Sequence, residues 1–132
     1  MRFYIFCTIV LLSFIFSTCK KDKVEMQYPF VPLNACVEKT LSQQKVEMCF
    51  NKIIEDSRCS INAVCIWAGV AKANFTFKAN NEQHTFDLAT NEIKPGYTND
   101  TTIFGYKIRL VNIRPQPGEP SSNPVAEIEV SK

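Results

Sequence analysis

Val64-Cys65-Ile66-Trp67-Ala68-Gly69-Val70-Ala71-Lys72-Ala73-Asn74-Phe75-Thr76-Phe77-Lys78 decides the fold class of this 132-residue chain. Trp67, Ala71, Ala73, Phe75 and Phe77 share one parity while Lys72, Asn74, Thr76 and Lys78 take the other, the period of two of a half-buried strand. Asn80-Asn81 follows, and because Asn tolerates positive φ a tight turn is expected there. A second strand, Gln83-His84-Thr85-Phe86-Asp87-Leu88, then completes a hairpin.

The same period extends in both directions. Upstream, Val46, Met48 and Phe50 alternate with Glu47, Cys49 and Asn51, until Ile53 and Ile54 break the phase and suggest a bulge. Downstream, Phe104, Tyr106, Ile108 and Leu110 alternate with Gly105, Lys107 and Arg109, and Ala126, Ile128 and Val130 alternate with Glu127 and Glu129. Residues 90–99 read as a long loop, and prolines at 115, 117, 120 and 124 exclude a strand there. No window holds a helical apolar stripe with caps. The pattern predicts an all-β fold, a single small antiparallel β-sandwich (Ig-like) or partly open barrel over residues 35–132.

The start of the chain is of another kind. Phe3 to Phe16 is one uncharged apolar run behind Arg2, shorter than the roughly 18 residues of a membrane span and suited to a signal peptide. Phe16-Ser17-Thr18-Cys19 resembles the lipobox of bacterial lipoproteins, with Phe16 and Thr18 departing from the usual residues. The resemblance implies that residues 1–18 are removed and that Cys19 is acylated on a thioether. Residues 19–34 then form a tether whose end is expected to dock on the domain, reaching at most about 50 Å over some fifteen residues. A plain signal cut near Ser17, or an uncleaved anchor, are the alternatives.

Cysteine parity favours the lipoprotein. With Cys7 in the discarded signal and Cys19 on lipid, Cys36, Cys49, Cys59 and Cys65 remain, an even set that reads as two disulfides in an exported domain. The polar stretch Thr40-Leu41-Ser42-Gln43-Gln44 places a hairpin that sets Cys36 opposite Cys49, and Cys59 and Cys65 bracket a short loop. The expected pairs are therefore 36–49 and 59–65. Zinc is a poor rival, because close CxxC pairs are missing and His84 is far along the chain.

Glu55-Asp56-Ser57-Arg58-Cys59-Ser60 with Val64-Cys65-Ile66-Trp67-Ala68-Gly69 is similar to the Asp-Ser-Arg-Cys-Pro…Cys-Val-Trp-Ala-Gly signature of a family of small bacterial secreted or lipid-anchored β domains. Ser60 stands for the usual Pro and Ile66 for the usual Val. Tyr106 to Pro117 resembles the family's second landmark, an aliphatic strand running into a proline-rich bend. The resemblance implies the β fold and the 59–65 disulfide, and it carries no catalytic residue. Asp56 has two readings: it caps a turn while Arg58 pairs with it or with a loop carbonyl, or it helps a rigid loop present Arg58 to an anionic or protein partner. Trp67 likewise either packs against the disulfide or serves as a ligand platform.

Charge excludes some functions. Only Arg2 of the 15 basic residues precedes Cys19, which leaves 14 against 13 acids and no concentrated basic face for nucleic acid. His84 sits in an alternating strand with no nucleophile in pattern, and no glycine-rich phosphate loop exists among four glycines. Neither a cofactor nor a metal site is expected. The expectation is a non-enzymatic protein held to the membrane by its lipid in the bacterial cell envelope. Lys20 after the acylated Cys resembles lipoproteins sent to the outer membrane. The domain would be a binding module for a protein or glycan. Alternatives are a protease inhibitor presenting the 59–65 loop and an accessory protein for metal handling or hydrolysis.

Overall fold

Each apolar parity finds a facing sheet. The computed structural model describes residues 28–120 and 122–132, so the apolar run, the lipobox and Cys19 lie outside the described residues. Eight strands are formed: β1 (Phe30–Pro32), β2 (Ala35–Leu41), β3 (Gln44–Asp56), β4 (Ala71–Ala79), β5 (Glu82–Ala89), β6 (Asp100–Ile103), β7 (Tyr106–Arg114) and β8 (Val125–Ser131). They build two four-stranded antiparallel sheets, ordered β1-β8-β7-β6 and β2-β3-β4-β5. The fold is an open, disulfide-stabilised β-sandwich, as the strand periodicity predicts.

The core lies between the sheets. Ala71, Ala73, Phe75, Phe77 and Ala79 point inward from β4 and meet Tyr106, Ile108 and Leu110 of β7 and Ala126, Ile128 and Val130 of β8. Phe50 and Phe75 stack with centroids 5.1 Å apart, and Phe77 meets Tyr106 edge-on at 5.4 Å. Burying side chains of this size contributes roughly 1.5–3 kcal/mol each. Tyr106 donates its hydroxyl to Gln44 Oε1 at 2.8 Å, so its polar atom is satisfied within the fold.

The β2–β3 hairpin turns at Ser42 and Gln43 with positive φ, and its register sets Cys36 against Cys49 as expected. Cys36 and Cys49 are bonded, as are Cys59 and Cys65. Asn80 and Asn81 make the β4–β5 turn with φ of 53° and 63°. The phase break at Ile53 and Ile54 is a doubled register shift of β3 against β4, between Phe50 and Lys52 and between Ile53 and Glu55.

Two local expectations are corrected. Phe104 belongs to no strand: Phe104 and Gly105 form a turn at φ 52° and 78° that joins β6 to β7. The strand expected from Val64 begins only at Ala71, because residues 57–70 loop out as the β3–β4 connection. Phe30–Pro32, at the end of the tether expected to dock, pairs with β8, and Val31 is fully buried. From there the chain crosses between sheets: Leu33 N–H donates to Pro124 O, and Asn34, at φ 60°, donates to Phe50 O.

These registers divide the sandwich into two ends. One carries the turns at 42–43, 80–81 and 104–105 with the C-terminal residues; the other carries the 33–34 crossing, the 57–70 loop, the 90–99 loop and the 115–124 connection. Tyr28 lies toward the turn end, where Lys39 Nζ stands 3.7 Å over its ring and Ile128 N–H donates to Pro29 O.

Candidate functional site

The 57–70 loop leaves β3 and returns to β4 through a closed base. Asp56 and Ala71 are the last register pair. Beyond them Ser57 N–H donates to Val70 O at 2.8 Å, and Val70 N–H donates back to Ser57 Oγ at 3.2 Å. Gly69 is required by contact: a Cβ there would stand 1.7 Å from Ser57 O. Asn91 Nδ2 donates to Gly69 O at 3.1 Å, tying the base to the 90–99 loop.

Arg58 locks this base to the other sheet. Its Nε and Nη2 donate to Asp56 Oδ1 and Oδ2 at 2.8 and 2.7 Å, a two-pronged pair. Nη2 also donates to Pro115 O at 3.1 Å and Nη1 to Ile113 O, so the guanidinium caps the end of β7. Only 9% of the Arg58 side chain is exposed. Both structural halves of the sequence reading are realised together, and the charge points inward toward the protein. Burial works to raise the Asp56 pKa, but hydrogen bonds from the Arg58 side chain and backbone, with its charge, outweigh it and hold the carboxyl below its ordinary value.

A second set of contacts supports the loop from the proline-rich connection. Ile61 N–H donates to Pro117 O at 2.9 Å, and Gly118, at φ 90°, lies so close that a Cβ would meet Ser60 Oγ at 2.3 Å. The Cys59–Cys65 bridge then pinches the loop, and Ala63 N–H donates to Ser60 O within it at 3.0 Å.

On this braced stem stands an apolar tip. Residues 61–68 are all exposed, with Val64 and Ile66 bare to solvent and Trp67 81% exposed. Trp67 therefore does not shelter against the disulfide. The reason is topological: the bridge closes inside the loop, and the base beneath it is already filled by Arg58, Ser57 and Gly69. No Lys, Arg, Asp, Glu or His occurs between Cys59 and Val70.

The remaining candidate groups lie elsewhere. His84 is exposed on β5, its ring parallel to Phe86 at 6.4 Å. Cys36, Glu47 and Cys49 converge on the outer face of the β2–β3 pair, but both sulfurs are spent in the disulfide, so the trio offers one carboxylate and no thiolate. A surface depression of about 480 Å³ lies at the turn end between Glu38, Gln44 and Glu82, and the Lys78–Glu47 ion pair lines it. Sequence reading found Asp56, Arg58 and Trp67. It missed the aliphatic partners Ile61, Val64 and Ile66, whose exposure follows only once 57–70 is known to leave the sheet. No family model, curated protein or solved structure matches this chain.

Proposed function

We propose that this chain is a non-catalytic binding module of the bacterial cell envelope, carried on a lipid at Cys19, whose binding element is the tip of the 57–70 loop. The observation that carries the reading is the contrast within one loop. Its base is clamped by Arg58, the Ser57–Val70 pair and a disulfide, while Ile61, Val64, Ile66 and Trp67 stand in water. Apolar side chains held rigidly outward cost little ordering entropy on binding, which is what a recognition loop on a stiff scaffold requires. Within the motif the labour is divided: Asp56, Ser57, Arg58 and Gly69 build the stem, while Trp67 stands at the tip.

The protease-inhibitor reading uses the same loop, with Val64 and Ile66 flanking Cys65. The backbone bends at Ile66 and Trp67 interrupt the extended run that a protease cleft accepts, so docking is the better supported use. Two measurements test the proposal. Mass spectrometry of the membrane fraction is expected to find an acylated peptide beginning at Cys19, and Cys19→Ser to release the protein; an unmodified Cys19 in the soluble fraction removes the anchor. Crosslinking pull-downs from intact envelopes are expected to recover a partner that is lost when 61–67 is replaced by Gly and Ser. Unchanged recovery removes the loop as the binding element.

A further inference from the structure

The geometry points to a protein as the occupant of the Ile61, Val64, Ile66 and Trp67 tip: an exported partner with an apolar groove, met on the side of the domain away from the anchoring membrane. This rests on the binding-module reading with its anchor at Cys19. Direction is the first argument. Tyr28, from which the chain leads back to Cys19, lies toward the turn end, and the tip stands at the opposite end. The eight steps of β4 from Ala71 to Ala79 measure about 27 Å, with the tip beyond them. Residues 20–28 cover at most about 30 Å even fully extended. Turning the tip into the membrane that holds Cys19 would take nearly all of that length just to run back along the sandwich. Turning it outward takes none.

Chemistry is the second argument. An anionic bilayer or an acidic polymer recruits cations, and the stretch from Cys59 to Val70 has no charged side chain. Arg58, the cation that directly precedes this stretch in sequence, has its fork filled by Asp56 and two carbonyls. A neutral glycan needs several hydrogen bonds around the ring it stacks on, and among the exposed residues 61–68 Asn62 alone carries a polar amide or hydroxyl side chain. Branched aliphatic groups with one indole suit an apolar protein groove, in which such anchors carry most of the affinity.

The test uses the full-length, lipidated protein in the cells that make it. A photoreactive amino acid placed at Ile66 is expected to yield an adduct with one exported protein, and the same probe at Asn81, on the opposite end, is expected not to. That protein, purified and titrated against the intact lipoprotein in detergent, is expected to bind about tenfold more weakly to Trp67→Ala. Raising the salt about tenfold is expected to leave the wild-type affinity within about twofold. Intact mass with both disulfides and an unchanged melting curve show that the variant is folded, which its exposed position favours. Phospholipid adducts at Ile66, adducts only with a second copy, salt-sensitive binding, or full affinity in Trp67→Ala each overturn the inference. A partner captured at Asn81 and not at Ile66 overturns it and removes the tip as the binding element, while the anchored binding module stands. Adducts at neither position sink both.

Discussion

Arg58 shows how much one side chain can decide. It joins β3 to the end of β7 through four donor contacts, and a lysine, a single point charge on a flexible stem, cannot reproduce the fork. Arg58→Lys is expected to cost about 2 kcal/mol in urea denaturation, the scale of hydrogen bonds to charged groups; equal stability would mean that the base holds without the clasp. The carboxylate partner adds a pH signature. Because the folded pKa of Asp56 is lowered, its contribution is present above the ordinary carboxylate value and is lost as pH falls through the lowered one. Stability is thus expected to fall below about pH 4, and less steeply in Asp56→Asn. Gly69→Ala presses a methyl onto the Ser57 carbonyl, a backbone atom with no rotamer to escape into, and is expected to cost at least about 1–3 kcal/mol in the same assay. At this scale the sequence was half legible. Acid and base two residues apart announce a pair, but nothing local says that the pair faces inward, or that Trp67 faces out.

Elements were legible where both parities are populated and illegible where they are not. β4 and β8 alternate over whole strands and bury one side, and β7 does so as far as Leu110, where a bulge slips the phase and buries Ile113 instead of Asn112. β6 reads Asp-Thr-Thr-Ile, with nothing apolar before its last residue, and its turn uses Phe104 at positive φ, where Asn or Gly would have signalled a hairpin. β1 is three residues ending in Pro32, too short for any period. The two disulfides belong to this scale as well, one fastening a hairpin across β2 and β3, the other closing a loop upon itself. In the chain-entropy picture the first stabilises by roughly 3 kcal/mol and the second by roughly 2. Replacing Cys36 and Cys49 by Ser is therefore expected to lower the denaturation midpoint more. Replacing Cys59 and Cys65 is expected to leave the sandwich standing and loosen the tip, read as faster proteolysis between 60 and 67. Loss of the whole fold in the second variant would contradict a loop that is braced independently of the core.

The whole molecule depends on where the domain begins. Two prolines and no sustained period put Phe30–Pro32 at the docking end of a tether, and there β1 covers the free edge of β8, inserts Val31 into the core, and leads through Leu33 and Asn34 into the opposite sheet. A chain shortened to start at Ala35 loses that burial, roughly 1.5–3 kcal/mol for Val31 alone. It also bares β8, whose sequence Val-Ala-Glu-Ile-Glu-Val is an alternating edge ready to pair with another copy. The expected outcome is a lower denaturation midpoint than for a chain starting at Met26, with oligomers in sedimentation. Tyr28 supplies an independent reading of the same dependence. Burial pushes its hydroxyl up to about 12 from 10.0, against an opposing influence of the Val130 backbone; the hydroxyl has no hydrogen-bond partner among the described residues. An acid whose pKa is raised on folding ionises first in the unfolded chain, so stability is lost as pH climbs from the unfolded value toward the folded one. The longer chain is expected to show this alkaline loss between about pH 10 and 12, and Tyr28→Phe or the chain starting at Ala35 to lack it. If the two lengths unfold alike at neutral pH and share one alkaline limb, the segment before Ala35 is tether and not domain.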